Sequence, residues 1–270
     1  MITLSAFADE ISPELSEQIA LLTSEQIQHI DFRSVNGKKL KELKVKELRD
    51  IKRNLAEEGI SVSCIGSAVG KIDITADLEA HYEELKQAVE AAHLMDTRCV
   101  RIFSFHCPDR NDMGSYRDRV IEELHKYTEY ASKEGIVLLH ENEKHIFGDT
   151  VERCAELMKT CYGSAFQGIF DPANFVYYGI RPFDDAYPQL ASYMSYFHVK
   201  DAAVVNGKFT NVFAGTGDGQ WRELLSHLRD NHYTGTMALE PHAKPRSVET
   251  FRTAIRAFKT LLEEAQIHWA

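Results

Sequence analysis

The stretch Ile136-Val137-Leu138-Leu139-His140-Glu141-Asn142-Glu143 decides how this chain is read. Its four consecutive apolar residues lack the alternation of a half-buried strand and fit a parallel strand covered on both faces. The run then breaks into His, Glu and Asn, so polar groups gather at the strand's C-terminal end. The same figure returns three times downstream, in Phe170-Asp171-Pro172-Ala173-Asn174, Phe197-His198-Val199-Lys200-Asp201 and Leu239-Glu240-Pro241-His242.

Working outward, short apolar runs recur at 2–7, 27–33, 60–66, 98–104, 136–141, 166–171, 193–199 and 236–240. Stretches with helical periodicity lie between and after them, at 12–23, 45–58, 78–95, 116–134, 150–160, 220–231 and 247–265. The sixth unit supports only a short helix, because 181–190 contains Pro182 and Pro188. Ser12-Pro13-Glu14 reads as a cap followed by proline at the first helical position, and Gly59 and Gly135 fall where a C-terminal glycine belongs. Eight βα units predict an α/β fold, a (β/α)8 TIM barrel. A doubly wound sheet has the same alternation, and the placement of polar residues at strand ends decides for the barrel. No Pro/Ser-rich linker or composition shift divides the chain, so 1–270 is expected to be one domain.

The charge balance of 31 Lys+Arg against 41 Asp+Glu, a net −10, opposes nucleic acid or an anionic membrane as the main partner. With 44% hydrophobic and 27% charged residues the composition is that of an ordinary globular protein, which excludes disorder. No apolar run approaches the roughly 18 residues that span a bilayer, and Met1-Ile2-Thr3-Leu4-Ser5 does not open a secretory signal. A cytoplasmic location is therefore expected. The five cysteines are irregularly spaced and include no CxxC pair, which fits reduced thiols rather than a disulfide framework or a zinc ribbon. The expected partner is a small molecule. Barrel enzymes are often oligomers, and a homo-oligomer is compatible with the sequence.

Reactive groups of an α/β barrel gather at the C-terminal ends of its strands. Closure would therefore bring Glu141, Asp171, His198 and Glu240 to one side of the mouth. Three carboxylates crowded there repel one another and suffer raised pKa values unless a cation neutralises them. One divalent metal ion is the simplest resolution. Three oxygen donors and one nitrogen are harder than a structural zinc set and suit Mn²⁺ first, then Mg²⁺ or Co²⁺, with Zn²⁺ also compatible.

Taken together, these segments and Ala6-Phe7-Ala8-Asp9-Glu10 and Ile102-Phe103-Ser104 resemble the xylose isomerase-like TIM-barrel superfamily of sugar isomerases and epimerases. That superfamily includes ketose 3-epimerases, inosose isomerases and endonuclease IV. The resemblance implies that Glu141, Asp171, His198 and Glu240 bind one divalent metal. It also implies that Glu141 and Glu240 are an acid/base pair on opposite sides of a sugar or polyol whose carbonyl and neighbouring hydroxyl oxygens are chelated. Deprotonation then gives an enediolate, and return of the proton from the opposite face gives epimerisation. Return to the adjacent carbon gives isomerisation instead. An inosose-type dehydratase shares the first step and then loses a β-hydroxyl. An endonuclease IV-like phosphodiester hydrolase is disfavoured, since the first three strand ends supply no histidine and the charge opposes DNA. The chain departs from the ketose 3-epimerases at Asn174, where they commonly carry a histidine.

Around this set, Asn174, Lys200, His106 and Arg33 are candidate substrate contacts. Lys200 equally suits an ion pair with Asp201, and Arg33 and Arg101 suit structural ion pairs. Glu143, His145 and His242 flank the candidate ligands, although an exposed loop accounts as well for the first two. Gly215-Thr216-Gly217-Asp218-Gly219 lacks the lysine and serine of a phosphate loop, and Asp218 opposes an anion, so a turn or covering loop is expected. Asn206-Gly207 predicts a small β-ribbon ahead of it.

Overall fold

The computed structural model describes residues 1–270. The chain opens with β1 (Thr3–Ala6), α1 (Leu15–Ser24) and β2 (His29–Phe32). A hairpin of β3 (Ser34–Val35) and β4 (Lys38–Lys39) leads to α2 (Val45–Glu57) and β5 (Ser61–Ile65). The alternation continues with α3 (Leu78–Leu94), β6 (Cys99–Ile102), α4 (Arg117–Lys133) and β7 (Val137–Glu141). Next come α5 (Val151–Cys161), β8 (Phe166–Phe170), α6 (Pro172–Val176) and α7 (Tyr187–Leu190). β9 (Met194–Val199) runs into an antiparallel ribbon of β10 (Asp201–Val205) and β11 (Lys208–Val212). α8 (Trp221–Asp230), β12 (Thr236–Leu239) and α9 (Val248–Glu264) complete the chain.

Eight of these strands pair in the order β1-β12-β9-β8-β7-β6-β5-β2, parallel throughout, as a nearly closed barrel. The ends of this ladder, β1 and β2, are joined through side chains. Ser5 Oγ and Tyr196 Oη each donate to Asp31 Oδ1 at 2.6 Å, inside the barrel. The expected eight βα units are all present, and the sixth is irregular as its prolines require. A π-turn over Pro182–Ala186 and the single turn of α7 replace a full helix there.

The two-residue period of a strand sorts side chains between two layers. Leu139, Ile169, Tyr196 and Ala238, together with Phe7 and Cys64, form a small apolar cluster. Their neighbours Leu138, Phe170, Phe197 and Leu239 belong to the large core shared with the helices. Two residues beyond Leu139, Ile169, Tyr196 and Ala238 stand Glu141, Asp171, His198 and Glu240. One apolar layer thus lies directly beneath one polar layer, which is the stacking expected of a barrel interior.

The expected start of α1 is corrected. Ser12 does not cap the helix; its Oγ accepts from Glu14 N at 3.1 Å, and the helix begins at Leu15. The cause is tertiary: Pro13 O accepts from Asn36 N, and Leu15 N donates to Asn36 Oδ1, so the β3–β4 hairpin holds this segment out of helical geometry. That hairpin turns on Asn36-Gly37, both at positive φ, the same dipeptide signal that marks the later ribbon at Asn206-Gly207.

The loop after β5 lies along the chain leaving β6. Phe103 N donates to Val69 O, Phe105 N to Gly70 O and His106 N to Ile72 O. Gly70 is required at this approach: its φ is +87° and an added Cβ would lie 2.0 Å from Phe103 O. The Gly70 N–H donates to Nε2 of buried His81 at 2.6 Å. Burial lowers the His81 pKa, partly offset by Glu84, and the hydrogen bond needs the neutral ring. The unfolded chain therefore binds a proton here at a higher pH than the folded one, and stability falls as pH drops below about 6.5. Replacing His81 by Leu leaves the Gly70 donor without its acceptor and is expected to cost about 1–3 kcal/mol at neutral pH. The same variant should show a shallower loss of stability on acidification. Urea unfolding of both proteins across the acid range tests both expectations.

Candidate metal centre

Each member of the polar layer offers a donor atom, and the four donors of Glu141, Asp171, His198 and Glu240 lie within 4.8 Å of one another. The four residues are no more than 2% exposed. His198 Nδ1 lies 3.2 Å from Glu141 Oε1 and 3.5 Å from Glu240 Oε2. Neither nitrogen of this fully buried ring has a hydrogen-bond partner, and Glu141 Oε2 also lacks one. Phe7 packs edge-on against the ring and fixes its plane.

Protein cations also reach the layer. Lys200 Nζ lies 3.4 Å from Glu240 Oε2 and 3.9 Å from Glu141 Oε1, and it pairs with Asp171 Oδ2 at 2.5 Å. Arg101 Nη1 lies 3.2 Å from Glu141 Oε2 and 3.6 Å from Glu240 Oε1. Arg33 Nη1 donates to Glu240 Oε1 at 2.6 Å and grips Asp9 with Nε and Nη2. Repulsion among the carboxylates is therefore relieved in part by the chain itself and is not sufficient reason for a metal. The better argument is the donor set, above all an imidazole facing two carboxylates with neither nitrogen hydrogen-bonded.

The electrostatics follow from burial opposed by these partners. Burial would raise Glu141, but His198 and Arg101 hold its carboxyl well below the usual range. Burial likewise acts against Glu240, which Lys200, His242 and His198 hold well below the usual range. Asp171 is raised, because burial and the neighbouring glutamates outweigh Lys200 and His198. Burial disfavours the Lys200 ammonium, yet the carboxylates around it keep its pKa well above the ordinary value.

Asn174 belongs to the cluster through Asp171. Its N–H and Nδ2 donate to the two Asp171 oxygens, Nδ2 also reaches Asn142 O, and Oδ1 accepts from Lys144 Nζ. It orients a candidate ligand. His106 lies apart: its Nδ1 is 2.9 Å from His145 O, and its backbone bridges Asp73 and Ile146. Lys200 does not pair with Asp201; alternation along the chain leaving β9 turns Lys200 inward with His198. His242 Nε2 lies 2.9 Å from Glu10 Oε1 and 3.5 Å from Glu240 Oε1. Burial would lower His242, but Glu240 and Glu10 raise it to about 9. Glu10, Glu240 and His242 form a second group with ligand spacing, although its imidazole is already paired with Glu10. Glu143 is largely enclosed and pairs with Lys71 and Lys144, while His145 is exposed against Tyr177.

Arg101 and Glu10 were not among the candidate site residues. A charge in the middle of a parallel strand, as in Cys99-Val100-Arg101-Ile102, is the signal for Arg101, because such a residue must face the barrel interior to find partners. The ribbon after β9 forms as expected. Its glycine loop is neither an open turn nor a phosphate site. The N–H groups of Gly215, Gly217 and Gly219 donate to the buried Asp201 carboxylate at 2.8–3.1 Å, as does Ala202 N.

A parallel α/β barrel with a carboxylate–imidazole layer at the C-terminal ends of its strands defines a class of barrel protein with a candidate metal site. Within that class, the chain belongs to the xylose isomerase-like TIM barrel family, whose model matches residues 25–261. No curated protein matches it. Among solved structures it is similar to a D-tagatose 3-epimerase-like protein, with TM-score 0.79, 15% identity and 98% of each chain covered. It is also similar to the probable 3-DHS dehydratase AsbF of Bacillus anthracis, with TM-score 0.78, 15% identity, and 96% of this chain and 99% of that one covered. The IOLI protein, solved with a bound zinc atom, has TM-score 0.77, 17% identity and 98% of each chain covered. Likenesses at these identities establish the shared fold. No helix is long and apolar enough to cross a membrane.

Elemental analysis of protein purified without added metal or chelator, before and after addition of Mn²⁺, Mg²⁺, Co²⁺ or Zn²⁺, is expected to find about one divalent ion per chain. Asp171→Ala and His198→Ala should each abolish it. Binding retained in both variants would remove these residues from the ligand set.

Proposed function

We propose that this protein is a divalent-metal-dependent isomerase or epimerase of a sugar or polyol, with Glu141 and Glu240 as its acid/base pair. The observation that carries this reading is the placement of His198 and Arg101 between the two glutamates, each within 3.6 Å of both. The carboxylates are thereby held ionised close together, and the reading assigns one to each face of the carbon that loses and regains a proton. Glu141, Asp171, His198 and Glu240 would hold the metal. When bound, a divalent ion supplies positive charge that stabilises the oxyanion developing as a C–H next to a carbonyl is deprotonated.

The chain's own residues handle the proton. One glutamate takes it from the carbon beside the carbonyl, leaving the electron pair shared with the carbonyl as an enediolate. The other glutamate, protonated from solvent as negative charge develops on the substrate, delivers that proton to the opposite face of the same carbon, which inverts the centre, and the first glutamate gives up the abstracted proton to solvent. Delivery to the former carbonyl carbon moves the carbonyl by one position instead. Asn174 keeps Asp171 in place by donating to both of its oxygens. The floor of Leu139, Ile169, Tyr196 and Ala238 excludes water from below. Manganese is the ion proposed first on donor hardness.

Of the structures similar in fold, one is named as an epimerase-like protein, one as an epimerase and one as a probable dehydratase. A dehydratase would use the same deprotonation and then expel a β-hydroxyl as water. A DNA phosphodiesterase with a three-zinc cluster fits less well, since the two groups with ligand spacing share Glu240 and hold only His198 and His242 as imidazoles.

The test is incubation of the metal-loaded protein with ketoses, aldoses and cyclic polyol ketones in deuterated water. Solvent deuterium in a product otherwise unchanged in composition supports isomerisation or epimerisation, and loss of one water identifies dehydration. Glu240→Gln, with its metal content measured separately, is expected to slow exchange by about 100-fold or more. Undiminished exchange in that variant would remove Glu240 from proton transfer.

A further inference from the structure

Beside the polar layer, on the β2–β6 side of the mouth, is a cavity of about 340 Å³, within the range of small-molecule sites. Arg33 and Arg101 are its common wall with the layer, since both line the cavity while contacting Glu240. Three lysines, Lys39, Lys41 and Lys71, line the rest, against only two carboxylates, Asp9 and Glu84. Five cations around one small cavity run against the net charge of −10 carried by the whole chain.

Arg101 is buried and Arg33 half-buried, whereas Lys39, Lys41 and Lys71 are exposed at the cavity's edge. Arg101 is 5% exposed, and its buried Nε has no hydrogen-bond partner. Its place is set by Ser67: Arg101 Nη2 donates to Ser67 O, and Ser67 Oγ donates back to Arg101 O. Gly66 permits that packing, for a Cβ there would lie 2.8 Å from the Phe7 ring and 3.1 Å from Arg33 Cβ. Lys71, on the loop that Gly70 and His81 pin in position, lies over the Phe103 ring at 4.1 Å and pairs with Glu143 at 3.0 Å. Lys41 pairs with Glu84, and Lys38 with Glu47. Lys39, carried by the β3–β4 hairpin, has no carboxylate partner and also lines the cavity.

We propose that this cavity takes an anionic group of the substrate, a carboxylate or a phosphate ester, so that the substrate is an acidic sugar or polyol rather than a neutral one. The proposal rests on the reading of the neighbouring layer as the site of proton transfer. The polyhydroxyl part of the molecule lies between Glu141 and Glu240, Arg33 and Arg101 border both regions, and Lys39 and Lys71 meet the distal oxyanion. Charge-assisted contacts of this kind favour an acidic ligand over a neutral one of the same shape.

The experiment is calorimetric titration of the metal-loaded protein with D-gluconate, D-fructose 6-phosphate and D-fructose, at low and high salt, alongside deuterium exchange on the same compounds. At least one acidic probe is expected to bind about ten-fold or more tightly than D-fructose, with an advantage that shrinks in high salt. Preference for D-gluconate identifies a carboxylate, and preference for D-fructose 6-phosphate a phosphate. Lys39→Gln and Lys71→Gln should each weaken the acidic probe by about ten-fold while leaving D-fructose binding and metal content unchanged. Equal binding of acidic and neutral probes, or no effect of both variants, overturns the proposal. If D-fructose exchanges deuterium while acidic probes bind no better, the cavity proposal falls and the enzyme reading stands. If acidic probes bind through Lys39 and Lys71 but no compound exchanges with any divalent ion, the enzyme reading falls and the anion site stands.

Discussion

The mouth of this barrel is organised by one constraint: charge taken out of water must be compensated where it is buried. Glu141, Asp171 and Glu240 are almost wholly enclosed, and each carries an energetic penalty that no apolar neighbour can relieve. The response reaches through the fold. Lys200 comes from beyond β9, Arg101 from the middle of β6 and Arg33 from the end of β2, and the glutamates draw all three inward. Asp9 steadies Arg33, and Glu10 steadies His242. Removing one partner from such an arrangement leaves an uncompensated charge in a low-dielectric interior, which is far costlier than the arrangement is favourable.

Two levels of rigidity separate the parts of the mouth. The polar layer is carried on and just beyond four adjacent strands of a continuous parallel ladder, above a floor that is itself packed. Its geometry belongs to the most cooperative part of the structure. The neighbouring cavity is walled partly by the β3–β4 hairpin and the loop after β5, segments attached to the barrel by a few hydrogen bonds. Chemistry that tolerates little displacement is thus placed on strands, and recognition of a distal group on loops, as is usual for barrels of this kind.

Much of this was legible in the chain because two periodicities are simple. The alternation of apolar runs with helical stretches gave the barrel, and the polar residue ending each of the last four runs gave Glu141, Asp171, His198 and Glu240. The inward direction of Lys200 was also available, since it lies two residues beyond His198, but the adjacent Asp201 offered an equally plausible local partner. Contacts between distant segments were not available. Asn36 holds Pro13 and Leu15 across 23 and 21 positions and moves the start of α1, which no cap rule applied to Ser12 could anticipate. The β3–β4 hairpin turns on Asn36-Gly37 just as the later ribbon turns on Asn206-Gly207, but its strands of two residues each carry no apolar alternation that would mark them in the sequence.

The glycine loop after the ribbon has a consequence of a different kind. Its amides converge on Asp201, a carboxylate of the same chain at the start of β10, much as such loops converge on free anions. A guest tethered to its host has an effective concentration that no dissolved ion matches, and it cannot diffuse away. The loop is therefore saturated from the moment the chain folds. The segment between the barrel mouth and α8 thus takes its shape from an anion that the chain itself carries, with no amide of these glycines left for a dissolved one.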